Sequence, residues 1–149
     1  MPKLVVFRQD FSKTVAMPRR YNCLGTKRGG KGMEIIFDVI NETLIAELIG
    51  EVDHNEASKM RERIDKALDN YKAKYLVLDF SKVTFMDSSG IGMILGRYRK
   101  MGEQAGNMAI AGCSKTIRNI LNMAGIFSIL DYFDSKEEAV ANFDRKEVS

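Results

Sequence analysis

From residue 33 onward, strand-like runs alternate with segments whose apolar residues recur at helical spacing. Residues 34–39 and 43–49 are two such runs, and a short polar link separates them, which predicts a β-hairpin. A helix is predicted over 55–70, followed by a nearly continuous apolar run at 75–80 that is typical of a central strand covered by helices. This alternation predicts a single α/β domain with a mixed sheet of four to five strands and about four helices.

The second half of the chain supplies further elements, and start or stop signals mark the helices among them. They are a helix beginning near Ser89, a strand over 108–111, a helix opened by Ser114 and ended by Gly125, a short edge strand within 126–133 and a last helix opened by the capping box 135–138. In the helix near Ser89 the predicted inward stripe includes Leu95, whereas Arg97 is predicted on another face. Asp53 or Asn55 can cap the helix over 55–70.

The charge is divided sharply along the chain. Residues 1–32 carry eight basic residues against one acidic residue, whereas the remainder carries 15 basic and 19 acidic residues, a net charge of −4. The first segment shows no sustained period and ends in a glycine-rich run, so we predict that 1–32 is a basic, disordered leader. The domain over 33–149 shows no basic footprint, and no direct nucleic-acid binding is expected.

The glycine-rich run contains a fragment of a phosphate-binding loop. Gly25, Gly30 and Lys31 match the spacing of that motif, but Gly32 stands where a Ser or Thr should reach magnesium. No strand leads directly into the run, and no helical pattern directly follows it. The fragment therefore does not predict a nucleotide site.

A different hypothesis explains the same run. Residues 28–30 can be encoded by purine-rich codons that contain a bacterial ribosome-binding sequence, and Met33 follows at a suitable spacing. On this hypothesis translation starts at Met33, and residues 1–32 are an upstream leader that the native protein lacks. The alternative is a real basic tail that binds an acidic partner. The intact mass of the protein from its own cell distinguishes the two.

Composition excludes several other classes of protein. The longest apolar run is far shorter than the roughly 18 residues that cross a bilayer, and no secretory signal is apparent, so we expect a cytoplasmic protein without a membrane segment. Cys23 and Cys113 lie far apart and form no metal-binding pair. His54 is the only histidine and is expected to be a solvated residue at a helix entry. No metal or cofactor is therefore expected.

The segment Asp87-Ser88-Ser89-Gly90 places two hydroxyls and a carboxylate where a helix is predicted to begin, beyond the end of a strand. Unpaired backbone N–H groups at such a helix start favour an oxyanion, so a phosphoryl group on either serine would be stabilised there, although Asp87 opposes it. The alternative is that one of these three side chains only caps the helix, which is worth about 1 kcal/mol.

Three glycines, Gly90, Gly92 and Gly96, lie inside the same predicted helix. Each costs about 1 kcal/mol relative to alanine, so their small size must serve a purpose. One explanation is close packing of the helix on the sheet. The other is close approach of another protein's backbone to the start of the helix.

A long run from Phe85 to Tyr98 reads Phe-Met-Asp-Ser-Ser-Gly-Ile-Gly-Met-Ile-Leu-Gly-Arg-Tyr. Together with residues 48–54 and 124–127, this run resembles the STAS-domain antagonists of anti-sigma factors, and the resemblance extends over residues 34 to about 143. It implies a single STAS domain that catalyses no reaction itself.

The resemblance also implies a mechanism of partner switching. Unphosphorylated protein would bind an anti-sigma factor, which is also a serine kinase, and release the sigma factor, with ATP and magnesium belonging to that kinase. Phosphorylation of Ser88 would inactivate the protein, and a serine phosphatase of the PP2C type would restore it. The residues implied at the partner surface are Asp53, Asp87, Ser89, Gly90, Ile91 and Gly92.

Two alternatives to this function differ from it in the partner system or in the role of Ser88. The resemblance favours a positive regulator of sporulation transcription, and the alternative within the family is a general-stress antagonist or a STAS scaffold with a different kinase partner. An enzymatic rival would use Ser88 as a nucleophile and His54 as its base. The chain argues against that rival, because Ser88 does not lie in a G-x-S-x-G elbow and no oxyanion loop is obvious.

Overall fold

The computed structural model describes residues 21–22 and 33–148, which form one mixed sheet with helices against both of its faces. The elements in chain order are β1 (Tyr21–Asn22), β2 (Met33–Ile40), β3 (Thr43–Val52), α1 (His54–Tyr71), β4 (Tyr75–Met86), α2 (Ser88–Glu103), β5 (Asn107–Ala111), α3 (Lys115–Met123), a 3-10 turn (Ile126–Ser128), β6 (Asp131–Phe133) and α4 (Lys136–Val148).

The strands lie in the sheet in the order in which they occur in the chain. The hairpin β2–β3 is antiparallel, with Phe37 opposite Ala46, and its turn places Asn41 in the left-handed region at φ 56°. Strands β3 to β6 are parallel, as the crossover helices between them require. The carboxyl ends of these parallel strands therefore face the same edge of the sheet.

The predicted α/β class, the hairpin and the four helices are confirmed, and residues 33–148 contribute five strands. A sixth strand has only two residues, Tyr21–Asn22, which pair antiparallel with β2. These two residues belong to the predicted leader over 1–32, whose other residues lie outside the part that the structure describes. The translation start at Met33 stays a prediction.

Two apolar clusters hold the helices on the sheet. On one face α1, α2 and α3 cover a core that contains Phe37, Leu48 and Phe80. On the other face α4 covers a smaller cluster, in which the ring of Phe143 stacks on Tyr75 with centroids 4.4 Å apart. Burial on both faces explains why the run predicted at 75–80 is nearly continuous in apolar residues.

Strand β4 continues to Met86, six residues beyond the predicted strand at 75–80. The pairing of β3 with β4 shifts register between Glu47 and Ile49 and again between Gly50 and Glu51. These irregularities break the regular alternation of inward and outward side chains, so the last part of β4 lacks the pattern that predicts a strand. The edge strand predicted within 126–133 is a 3-10 turn followed by the three residues of β6.

Two side chains of α2 lie on faces other than the predicted ones: Arg97 is buried and Leu95 is exposed. Arg97 is only 6% exposed, and its Nε lies 2.9 Å from the carboxylate of Asp65 on α1. Burial lowers the pKa of Arg97, while the nearby Asp65 carboxylate acts in the opposite direction. Leu95, predicted on the inward stripe, is 39% exposed. The buried arginine takes a core-facing place because α1 supplies its counterion there.

Candidate functional site

The parallel strands β3 and β4 end side by side, and each is followed at once by an aspartate. Val52 is the register partner of Met86, and the N–H of Asp87 donates to the carbonyl of Val52 at 3.3 Å. The aspartate after β3 is Asp53, which directly precedes α1, and Asp87 directly precedes α2. The prediction that Asp53 comes to the same corner from a different loop agrees with this arrangement.

Both aspartates cap the helices that follow them. The Asp53 carboxylate accepts the N–H of Glu56 at 3.0 Å, and the Asp87 carboxylate accepts the N–H of Ser89 at 2.9 Å. The cap of α2 is therefore Asp87, and neither serine performs that role. We call the group Asp53, His54, Asp87, Ser88 and Ser89 the serine corner.

Ser88 is the first residue of α2, and its side chain is exposed. Its hydroxyl has no hydrogen-bond partner within the part of the chain that the structure describes. Ser89 is less exposed, and its Oγ lies 3.4 Å from Nδ1 of His54. The two hydroxyls thus differ, because one is open to solvent and the other contacts the neighbouring helix start.

His54 is exposed and is the first residue of α1, as expected of a solvated residue at a helix entry. Its contact goes to Ser89, whereas the enzymatic rival would pair it with Ser88. Within the described residues no hydrogen bond joins His54 to Ser88. The arrangement lacks the nucleophile–base contact that this rival requires.

The glycines of α2 divide into two kinds. Gly90 is buried, and a Cβ there would overlap the side chain of Met86 and lie 3.1 Å from Cγ1 of Val52. Close packing on the ends of β3 and β4 therefore accounts for Gly90. A Cβ at Gly92 or Gly96 would meet nothing within 4 Å among the described residues, so packing inside the chain does not account for those two.

The surface next to the serine corner exposes apolar side chains. Phe85, three residues before Ser88, is 47% exposed at the end of β4, and Leu95 is exposed further along α2. Ile91 is half-buried against the core, so only part of it is available to a partner. Sequence reasoning did not single out Phe85 as a surface residue, because the register shifts that turn it outward leave no regular pattern.

No group of three or more His, Cys, Asp or Glu side chains could hold a metal ion within residues 21–22 and 33–148. None of the helices described there is long and apolar enough to cross a bilayer. Cys113 is half-buried, and burial raises its pKa to about 12, so it is a protonated thiol at neutral pH. Cys23 lies outside the described residues.

Solved structures define the class of fold to which this architecture belongs. The anti-sigma factor antagonist SpoIIAA in its unphosphorylated form is 27% identical, with a TM-score of 0.66, and the match covers 74% of this chain and 96% of that one. The Bacillus cell fate determinant SpoIIAA in its phosphorylated form is 28% identical, with a TM-score of 0.60, over 73% and 98% of the two chains. The fold is that of these small regulatory proteins.

Sequence comparison identifies the family. Residues 34–139 match the model of the STAS domain. The anti-sigma F factor antagonist of Paenibacillus polymyxa is 34% identical over 101 residues, which cover 68% of this chain and 86% of that relative. The chain therefore belongs to the STAS domain family and is related to its anti-sigma factor antagonists.

Proposed function

We propose that this protein is an anti-sigma factor antagonist whose binding is switched by phosphorylation of Ser88. The observation that carries the proposal is the contrast between the two serines at the start of α2. Asp87 caps the helix, so Ser88 is left exposed with its hydroxyl unengaged among the described residues, whereas Ser89 contacts His54. A kinase can reach an exposed, unengaged hydroxyl without breaking any contact of that side chain in the described chain, and Ser88 has such a hydroxyl.

In the unphosphorylated state the serine corner and the first turns of α2 bind the anti-sigma factor, which is also a serine kinase. Gly92 has open space around it, and Phe85 provides an exposed apolar anchor nearby. Binding of this surface displaces the sigma factor from its inhibitor. ATP and magnesium come with the kinase.

Phosphorylation of Ser88 ends the complex because of the charge that the phosphoryl group adds. A phosphoryl group adds a charge of about −1.5 to −2 and three acceptor oxygens. The dipole of α2 favours an anion at its start, although the N–H of Ser89 is bonded to the Asp87 carboxylate and that of Gly90 to the Asp87 carbonyl. An interface that fits a small hydroxyl does not tolerate the added charge. Binding would remove water from the phosphate dianion and from the carboxylates of Asp53 and Asp87 together. A serine phosphatase of the PP2C type restores the binding form.

The regulated process is sporulation transcription, which the protein promotes by releasing a sporulation sigma factor. This part of the proposal rests on the similarity to the Paenibacillus polymyxa protein, which is named for the sigma F system. Purification of the protein from the native cell identifies the anti-sigma factor bound to it, and a second purification through that anti-sigma factor identifies the sigma factor. Recovery of a general-stress sigma system would contradict the sporulation assignment but leave the switch itself intact.

The acceptor assignment is tested with the anti-sigma factor kinase of the same cell, ATP and magnesium. Wild type and Ser89→Ala should each gain one phosphate by intact mass, and Ser88→Ala should gain none. Ser89→Ala is the matched control because it removes the adjacent hydroxyl of the same helix turn. Equal phosphate incorporation by Ser88→Ala and wild type would contradict the proposal.

A further inference from the structure

His54 is the only histidine in the chain, and it lies where two helix starts meet. Its Nδ1 is 3.4 Å from Oγ of Ser89, the residue after the proposed acceptor. The imidazole is exposed, so it can rotate without disturbing the core. A side chain that can donate an N–H thus lies beside Ser89, the neighbour of the proposed acceptor.

The acidic groups around His54 already have partners. Asp53 accepts the N–H of Glu56 at 3.0 Å, and Asp87 accepts the N–H of Ser89 at 2.9 Å. The Glu56 carboxylate lies 3.8 Å from Nζ of Lys59. Both aspartates would repel a phosphoryl group on Ser88, and a cationic donor beside them would offset that repulsion.

We propose that His54 is a positioning residue for the phosphoserine, and that its imidazole exchanges Ser89 Oγ for a phosphoryl oxygen once Ser88 is phosphorylated. The inference rests on Ser88 as the acceptor in the proposed function. A phosphoryl group carries three acceptor oxygens that extend beyond the serine Oγ, and hydrogen bonds between charged partners are stronger than those between neutral ones. In the unphosphorylated protein the contact with Ser89 therefore keeps the imidazole at the start of α2, where the modified state can use it.

A measurable consequence is that His54 favours the dianionic form of the phosphate. Attraction between an imidazolium at hydrogen-bonding range and the phosphate, in a water-like dielectric, should lower the midpoint of the second phosphate ionisation by about half a pH unit. The effect should shrink at high salt, because both groups are exposed. A purely structural role of His54 would leave this midpoint unchanged.

The test uses the full chain with phosphoserine incorporated at position 88 during translation, so it does not depend on finding the kinase. The phosphorus-31 resonance is followed against pH in this protein and in its His54→Gln and His54→Lys variants. Glutamine keeps a donor without charge, and lysine restores a cation. We expect the midpoint in His54→Gln to be about half a pH unit higher than with His54, and His54→Lys to reverse that rise.

Two outcomes separate the inference from the function on which it rests. Equal midpoints with His54 and His54→Gln would overturn the role of His54, while leaving Ser88 as the acceptor. Failure of the kinase to modify Ser88 in the separate mass experiment would overturn both.

Discussion

Alanine substitution at two glycines of α2 tests the packing of the serine corner. Gly90 and Gly92 lie in the same helix, two residues apart, and differ in their surroundings. A Cβ at position 90 would overlap Met86, which is only 3% exposed, and would lie 3.1 Å from Val52. A Cβ at position 92 would contact nothing within 4 Å in the described chain. The two substitutions therefore share a gain in helix propensity and differ in steric cost.

The expected magnitudes follow from these contacts. Replacing glycine by alanine in a helix gains about 1 kcal/mol at either position. Overpacking of a core contact costs roughly 1–3 kcal/mol, and the flexible Met86 side chain relieves part of it, so we take about 2 kcal/mol for Gly90→Ala. Gly90→Ala should then lower the free energy of unfolding by about 1 kcal/mol, and Gly92→Ala should raise it by about 1 kcal/mol.

Urea denaturation followed by far-UV circular dichroism measures the difference. With a slope of roughly 2 kcal/mol per molar urea, the midpoints of the two variants should lie about 1 M apart. If Gly90→Ala proves as stable as Gly92→Ala, the close packing of α2 on the strand ends does not explain Gly90.

The stable Gly92→Ala variant should nevertheless bind the anti-sigma factor more weakly than wild type, because the open space at Gly92 is proposed to admit the partner.

Two further predictions concern the helix cap and the cysteine. Asp87→Ala should lower the free energy of unfolding by about 1 kcal/mol, whereas Asp87→Asn should keep most of the stability; equal losses in urea denaturation would show that the cap bond to Ser89 contributes little. In a Cys23→Ser background at pH 8, Cys113 should react with iodoacetamide at least about a hundredfold more slowly in the native protein than in urea. Its pKa, raised to about 12 by burial, leaves little thiolate, and comparable rates would contradict that burial.

Local sequence signals predicted much of the fold, because they depend on neighbouring residues. The caps proposed at Ser114 and Ser135 are present, since Ile117 and Glu138 donate their N–H groups to those hydroxyls. Asp53 rather than Asn55 caps α1. These are short-range contacts that one turn of helix determines.

The features that sequence reasoning missed depend on distant residues. The burial of Arg97 requires Asp65, which another helix supplies, and no helical period reveals such a partner. The extension of β4 to Met86 and the exposure of Phe85 follow from register shifts against β3. The corner itself was partly predictable, since two loops after parallel strands meet at one edge, but the contact of His54 with Ser89 is purely tertiary.

In the proposed switch, one phosphoryl group on Ser88 inactivates the protein. The most direct measurement starts from a preformed complex of the fluorescently labelled sigma factor with its anti-sigma factor. It follows the anisotropy while unphosphorylated protein, or protein with phosphoserine at position 88, is added. We expect the unphosphorylated form to release the sigma factor, and the phosphorylated form to need at least about a tenfold higher concentration, equivalent to about 1.4 kcal/mol of lost binding energy. Equal release by both forms would contradict a switch at Ser88.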